Sequence, residues 1–156
     1  MKVSLPYEIQ KCLFSPRFVS LIDSNYLYYS DADTVFEFDV RHRSKREVLV
    51  VRNGPNALCG IAWSPDSSMA LILSIAPNQI ADFASENTLY LITIDGSLPP
   101  RKYTAPVNFF FIKECESAPG RDFYFVDNST IVYKKHLESY SDPGKLITVK
   151  IGAFRY

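Results

Sequence analysis

Apolar residues recur along the chain in short runs that turn residues separate. The runs at 58–63 and 69–75 are joined by a Ser-Pro-Asp-Ser segment. Pro65 suits the second position of a type I turn because its ring fixes φ, and the neighbouring Ser and Asp side chains can bond the turn's amides. This pattern predicts two antiparallel strands joined through residues 64–68.

Similar runs on both sides extend the pattern into three units of about four strands each. The first unit has strands predicted at 7–14, 18–22, 35–40 and 46–51, and residues 26–30 either extend the second of these or form a strand of their own. The second unit has 58–63, 69–75, 88–94 and 101–104. The third has 107–112, 122–126, 130–133 and 145–151.

Residues 35–40 show the clearest alternation. Phe36, Phe38 and Val40 fall on one face of the strand. Val35, Glu37 and Asp39 fall on the other, which predicts a half-buried strand.

An aromatic-Ser-Pro motif occurs at Phe14-Ser15-Pro16 and Trp63-Ser64-Pro65, with a weaker echo at Phe110. The spacing is about 48 residues, within the range of propeller blades. On these motifs, and on Phe38-Asp39-Val40 in the place of that family's Trp-Asp, the chain resembles the WD-repeat β-propellers. It is also similar to prolyl-oligopeptidase-type and TolB-type propellers through residues 28–35.

These observations predict an all-β fold in a single domain, 1–156. It has about three four-stranded antiparallel blades, at about 7–52, 57–104 and 106–152, in an incomplete or open propeller. The resemblance implies a non-enzymatic protein–protein interaction scaffold that acts as a subunit of a larger complex. The alternative is an accessory or regulatory propeller of a hydrolase.

The composition and net charge limit the classes of partner that we expect. A chain that is 47% hydrophobic and 22% charged is typical of a globular domain, and 17 basic against 17 acidic residues leave no net charge to attract nucleic acid or anionic lipid. We find neither a signal-peptide run nor a membrane-length apolar stretch, so we expect a cytoplasmic or nuclear protein without a membrane partner. The widely separated Cys12, Cys59 and Cys115 are expected to be free thiols.

Catalytic patterns are not found. His42 lies among arginines and lysines that disfavour its protonation, and His136 follows Lys134 and Lys135. The sequence has no Gly-x-Ser-x-Gly elbow, no Gly-rich phosphate loop and no His pair at metal-ligand spacing. We therefore expect no enzyme activity, no catalytic residue, no cofactor and no metal.

Two segments are candidate partner-binding sites. One is the basic run with Arg41, Arg43, Lys45 and Arg46, predicted to face solvent and to bind an acidic partner; the alternative is a solvated hairpin. The other is the connection at 76–86, where Ile80 and Phe83 either contact a partner or pack back onto their own blade. Aromatic strands can stack bases, but no RNP-like pattern accompanies them, so a nucleic-acid partner is not expected.

The edges and ends of the array yield two further expectations. Lys, Arg and Pro at 45–48, 99–102 and 145–148 should blunt the outer edge strands. Three blades cannot close a ring, so apolar residues should be exposed at both ends, namely Phe14, Phe18 and Phe36 at one and Phe111, Phe123 and Val132 at the other. Another chain would cover them: a partner protein, or a second copy that completes a homodimeric ring of about six blades.

Overall fold

The computed structural model describes residues 19–21, 25–31, 33–51, 57–75, 88–104, 123–135 and 145–156. Eleven strands lie within these ranges, arranged in three antiparallel sheets. The one helical element described there is a short 3-10 helix, Ile151–Ala153. The predicted all-β class is therefore confirmed.

Sheet 1 has four strands in chain order: β1 (Val19–Leu21), β2 (Tyr26–Asp31), β3 (Thr34–Asp39) and β4 (Ser44–Val50). Residues 26–30, whose placement the sequence left open, form a strand of their own. The last strand begins at Ser44, two residues earlier than predicted, so Lys45 lies on β4 together with Arg46.

The alternation on β3 is confirmed, but its burial is not as predicted. Phe36, Phe38 and Val40 pack in one apolar cluster, whereas Val35 packs in another. Val35 is fully buried and Phe38 is 4% exposed. Both faces of β3 therefore pack against other residues, and the expectation of a half-buried strand is wrong.

Sheet 2 also has four strands in chain order: β5 (Ala57–Trp63), β6 (Met69–Ile75), β7 (Thr88–Thr93) and β8 (Arg101–Thr104). Its first turn is the one predicted. The Ser67 amide donates to the Ser64 carbonyl at 2.9 Å, which closes the four-residue turn, and the Met69 amide donates to Ser64 Oγ at 2.9 Å. Asp66 Oδ1 accepts from Ser64 Oγ and from Ser68, so side chains brace the turn.

Sheet 3 contains β9 (Phe123–Asp127), β10 (Thr130–Lys135) and β11 (Lys145–Lys150), with β10 in the middle. Two predicted strands, at 7–14 and 107–112, lie outside the described residues. The same is true of Phe14, Phe18 and Phe111, and of His136. Each described sheet falls inside one of the three predicted units.

Sheet 2 lies between the other two. Ala70, Leu71, Ile72 and Leu73 on β6 are each 0% exposed, although alternate residues on a strand point to opposite faces. Ala70 and Ile72 pack in one cluster with residues of sheet 1, including Tyr28, Val35 and Leu49. Leu71 and Leu73 pack in another with residues of sheet 3, including Phe123, Phe125 and Ile131. Both faces of sheet 2 are therefore core.

Polar contacts also join sheets 2 and 3. The Asp66 amide donates to Asn128 Oδ1 at 3.3 Å, which links the β5–β6 turn to the β9–β10 turn. Beyond the 3-10 helix, Arg155 pairs with Lys102 of β8 through two backbone hydrogen bonds, of 2.7 and 2.9 Å. The segment after sheet 3 thus extends the outer edge of sheet 2.

The far faces of the two outer sheets differ. On sheet 1, Leu27 and Tyr29 are only 3% and 2% exposed. On sheet 3, Val126 and Leu146 are 56% and 57% exposed. Phe123 and Val132 were expected to be exposed at this end, but they are 0% and 6% exposed and Phe123 packs toward sheet 2, so that prediction is wrong for both residues. Among the described residues, the open end of the array is the far face of sheet 3.

Candidate partner-binding site

The predicted basic run lies at the hairpin between β3 and β4. The side chain of Asp39 organises the turn, because its Oδ1 accepts from the amides of Arg41 at 2.9 Å and His42 at 3.0 Å. His42 Nδ1 lies 2.8 Å from Asp39 Oδ2. These hydrogen bonds, that of the His42 side chain above all, lower the pKa of Asp39. The turn therefore has a defined conformation, in which Arg43 has a φ of +52°.

Three cations project from this braced hairpin. Arg41, Arg43 and Lys45 are all exposed, as predicted. Within the described residues none of the three forms an ion pair, and the Lys45 ammonium lies 5.0 Å from the centroid of the Phe36 ring. We call these three residues the basic turn.

Arg46 is also exposed, but its guanidinium is engaged. Arg46 Nη2 lies 2.9 Å from Glu37 Oε2 and 3.1 Å from the carbonyl oxygen of Ile94, and Nε lies 3.2 Å from Glu37 Oε1. The hydrogen bonds with Glu37 raise the pKa of Arg46. Because Ile94 follows β7, Arg46 links sheet 1 to sheet 2, a role that the sequence did not indicate.

Glu37 connects this link to the core. Its Oε2 also accepts a hydrogen bond from the Tyr28 hydroxyl, and Tyr28 is fully buried. Burial first, and the hydrogen bond to Glu37 second, raise the pKa of Tyr28. The Tyr28 ring in turn meets Trp63 of sheet 2 edge-on, with 4.9 Å between ring centroids. Both carboxylate oxygens of Glu37 thus accept hydrogen bonds, and its side chain is only 13% exposed.

A cleft of about 570 Å³ opens beside this network, between β3 and β4 on one side and the turn after β7 on the other. Its lining includes Glu37, Arg46, Asp95 and Ser97, together with apolar residues such as Met69. Ser97 donates its amide to Asp95 Oδ1 at 2.9 Å, which lowers the pKa of Asp95. The charged groups of the cleft are therefore engaged with one another or with the backbone.

A second concavity lies at the outer rim, between β4 and β8. This edge groove has a volume of about 510 Å³. Val48, Val50, Tyr90, Pro100 and Tyr156 line it, together with Lys102. No sequence pattern indicated this groove, because the approach of two edge strands from different sheets leaves no local signature.

The second predicted contact segment, with Ile80 and Phe83, lies outside the described residues. Those two partner-binding residues stay predictions. The β3–β4 hairpin therefore carries all four predicted residues, Arg41, Arg43, Lys45 and Arg46. The guanidinium of Arg46 forms its hydrogen bonds within the chain.

Comparison with known proteins adds no family: no family model, no curated protein and no solved structure matches the chain. Within the described ranges, none of the helical structure is long and apolar enough to span a membrane.

Proposed function

We propose that this chain is a non-enzymatic protein–protein interaction module, a WD-repeat-like array of three blades that serves as a subunit of a larger complex. The observation that carries this proposal is the basic turn. Arg41, Arg43 and Lys45 stand exposed on a hairpin that Asp39 braces, and no described acid pairs with them.

The arrangement of the sheets supports the comparison with blades. Sheets 1 and 2 each run in chain order through four antiparallel strands, and sheet 2 packs on both neighbours through apolar faces. Propeller blades are four-stranded sheets that stack face to face in the same way. The rigid stack would hold the β3–β4 hairpin at a constant position on its surface.

The charge of the basic turn indicates the chemistry of the partner. Three like charges on one short hairpin repel each other, and an acidic surface relieves that repulsion while attracting the chain from a distance. The described contacts of the Asp39 carboxylate are with His42 and with backbone amides, so it forms no ion pair with Arg41, Arg43 or Lys45. We therefore infer an acidic protein partner.

The far face of sheet 3 would provide a second contact. Val126 and Leu146 are more than half exposed there, and a fourth blade would cover them as sheet 3 covers sheet 2. A partner's blade or a second copy of this chain could supply that cover. Head-to-tail closure by a second copy is less well supported, because Leu27 and Tyr29 on the far face of sheet 1 are already buried.

The experiment is to purify the tagged chain from the cells that make it, measure the mass of its assembly, and repeat with Arg43→Glu. We expect a stable assembly larger than one chain, which Arg43→Glu weakens and which added salt also weakens, because exposed charges are screened over about 8 to 10 Å at physiological ionic strength. Lys145→Glu is the matched control, since Lys145 is an exposed cation on another sheet.

An assembly that is unchanged by Arg43→Glu and by salt would contradict the role of the basic turn. Co-purification of a hydrolase with this chain would favour the accessory-propeller alternative. A chain that forms no assembly in any condition would refute the scaffold proposal.

A further inference from the structure

We infer that the outer edge of β4 is a docking site for an extended acidic segment of a protein partner, which adds to sheet 1 as a further strand. This inference rests on the proposed function and specifies how the partner is held. Three observations support it: the unpaired edge of β4, an added segment on the neighbouring edge, and the distribution of charge along β4.

The first observation is the edge itself. β4 is the last strand of sheet 1 among the described strands, so one side of its backbone has no partner there. The Val51 amide donates to the carbonyl oxygen of Asp33 at 2.8 Å, toward β3. Because successive residues of a strand direct their amides to opposite sides, the Val50 amide points outward. It is therefore available to a further strand.

The second observation is the edge of sheet 2, where this molecule already accepts such an addition. Arg155 pairs with Lys102 of β8 by exchanging two backbone hydrogen bonds. β4 presents the same kind of edge across the edge groove, and no described segment pairs with it. Main-chain hydrogen bonds of this kind supply affinity when a peptide adds to a sheet, and side-chain pockets supply specificity.

The third observation is that charged and apolar residues lie at opposite ends of β4 and its turn. Arg41 and Arg43 lie in the turn before β4 and Lys45 lies at its beginning, whereas Val48 and Val50 at its end line the edge groove. Glu47 lies between the two parts and Lys102 across the groove. A matching segment therefore has acidic residues beside the turn and apolar residues beside Val48 and Val50.

The same charges explain why the edge would not pair with itself. Lysine on an edge strand discourages pairing between copies of a protein, because two such strands bring like charges together. An acidic strand would instead place its negative charges beside these cations. The cations thus exclude a second copy and select an acidic partner.

The test uses fluorescent peptides of about eight residues, long enough to span β4. The first has glutamates at one end and alternating Val and Thr at the other, prepared in both orders because the strand could add in either direction. The second has the same charge but prolines at alternate positions, so that it cannot form a ladder. Binding to the full chain is measured by fluorescence anisotropy.

We expect the strand-forming peptide, in one of its orders, to bind about tenfold or more tightly than the proline peptide. Val50→Pro should remove that advantage, because it deletes the outward amide, and proline is tolerated on an edge strand where its nitrogen faces solvent. Val50→Thr keeps the amide and the branched shape but removes an apolar contact of the groove, so binding should weaken while the strand-forming peptide keeps its advantage over the proline peptide. Unfolding curves of both variants verify that they are folded. Lys45→Glu changes no backbone group and should also weaken binding of the strand-forming peptide.

Equal binding of the two peptides, or binding that Val50→Pro leaves unchanged, would overturn strand addition while leaving an acidic partner at the basic turn intact. Absence of binding by the strand-forming peptide in both orders would likewise overturn it. The proposed function fails separately, if the chain forms no assembly in any condition.

Discussion

Among individual side chains, Arg46 and Arg43 are close in sequence and different in surroundings. Arg46 bonds Glu37 and the Ile94 carbonyl, whereas Arg43 forms no ion pair within the described ranges. Arg46→Met should therefore lower the free energy of unfolding by about 1 kcal/mol, a modest value because the guanidinium is partly exposed and screened. Arg43→Met is the matched control and should change it by less than about 0.5 kcal/mol.

Urea unfolding followed by the fluorescence of Trp63 measures both variants. Trp63 is the single tryptophan of the chain, and it contacts Tyr28 of the same network. Equal unfolding midpoints for the two variants would show that Arg46 does not link the sheets.

The turn carboxylates give the molecule a predictable response to acid. Hydrogen bonds from Ser68 and Ser64 lower the pKa of Asp66 below its ordinary value of 3.8. A lowered pKa in the folded state means that the contribution of Asp66 to stability is present above 3.8 and is lost as the pH falls through the folded value. Asp66→Asn should lower the unfolding midpoint at neutral pH and flatten its decline in acid.

Urea unfolding at a series of pH values, from neutral to below the ordinary Asp pKa of 3.8, checks the prediction for Asp66→Asn. Glu47→Gln is the control, because Glu47 is exposed on β4. If Asp66→Asn and the original chain lose stability in parallel as the pH falls, the Asp66 hydrogen bonds do not stabilise the turn.

At the scale of single strands, β6 is the best test of packing because both of its faces are core. Leu71 is 0% exposed, whereas Leu146 on β11 is 57% exposed. Leu71→Ala should cost about 3 kcal/mol through lost burial and the cavity that remains. Leu146→Ala makes the same chemical change at an exposed site and should cost less than about 0.5 kcal/mol.

Chemical denaturation of the two leucine variants decides this prediction. A similar loss in both would mean that sheet 2 is not enclosed by its neighbours. Retention of full stability by Leu71→Ala would mean the same.

Local patterns predicted the strands well and their partners less well. The 64–68 turn and the faces of β3 follow from Pro65 and from alternation, which are properties of neighbouring residues. Alternation does not reveal which sheet a face meets, and so Phe123 was expected at an exposed end but lies in the core. Of the aromatic-Ser-Pro motifs, Trp63 ends β5 as predicted, whereas Phe14 lies outside the described residues.

The candidate site was predictable in composition and not in detail. Exposure of Arg41, Arg43 and Lys45 follows from a run of like charges. Pairing of Arg46 with Glu37 depends on the register of β3 against β4, which places these two residues opposite each other. That register includes an irregularity between Val35 and Phe36, which the sequence does not signal.

For the whole molecule, the far face of sheet 3 makes a prediction about association. Because Val126 and Leu146 are exposed there, the chain purified alone at micromolar concentration should have a mass above that of one chain. Leu146→Lys should shift it toward the monomer, since a lysine cannot be buried against an apolar face without cost. Light scattering measures both masses, and a soluble, folded and strictly monomeric original chain would contradict the open-array account.

The central claim is that partners bind at the basic turn and along β4. Amide hydrogen exchange, compared between the chain alone and the chain in its native assembly, tests it most directly because it reports on each segment separately. We predict slower exchange across residues 41–50 in the assembly, with residues 94–97 unchanged as an internal reference. Identical exchange across 41–50 in the two states, with protection appearing only elsewhere, would contradict the claim.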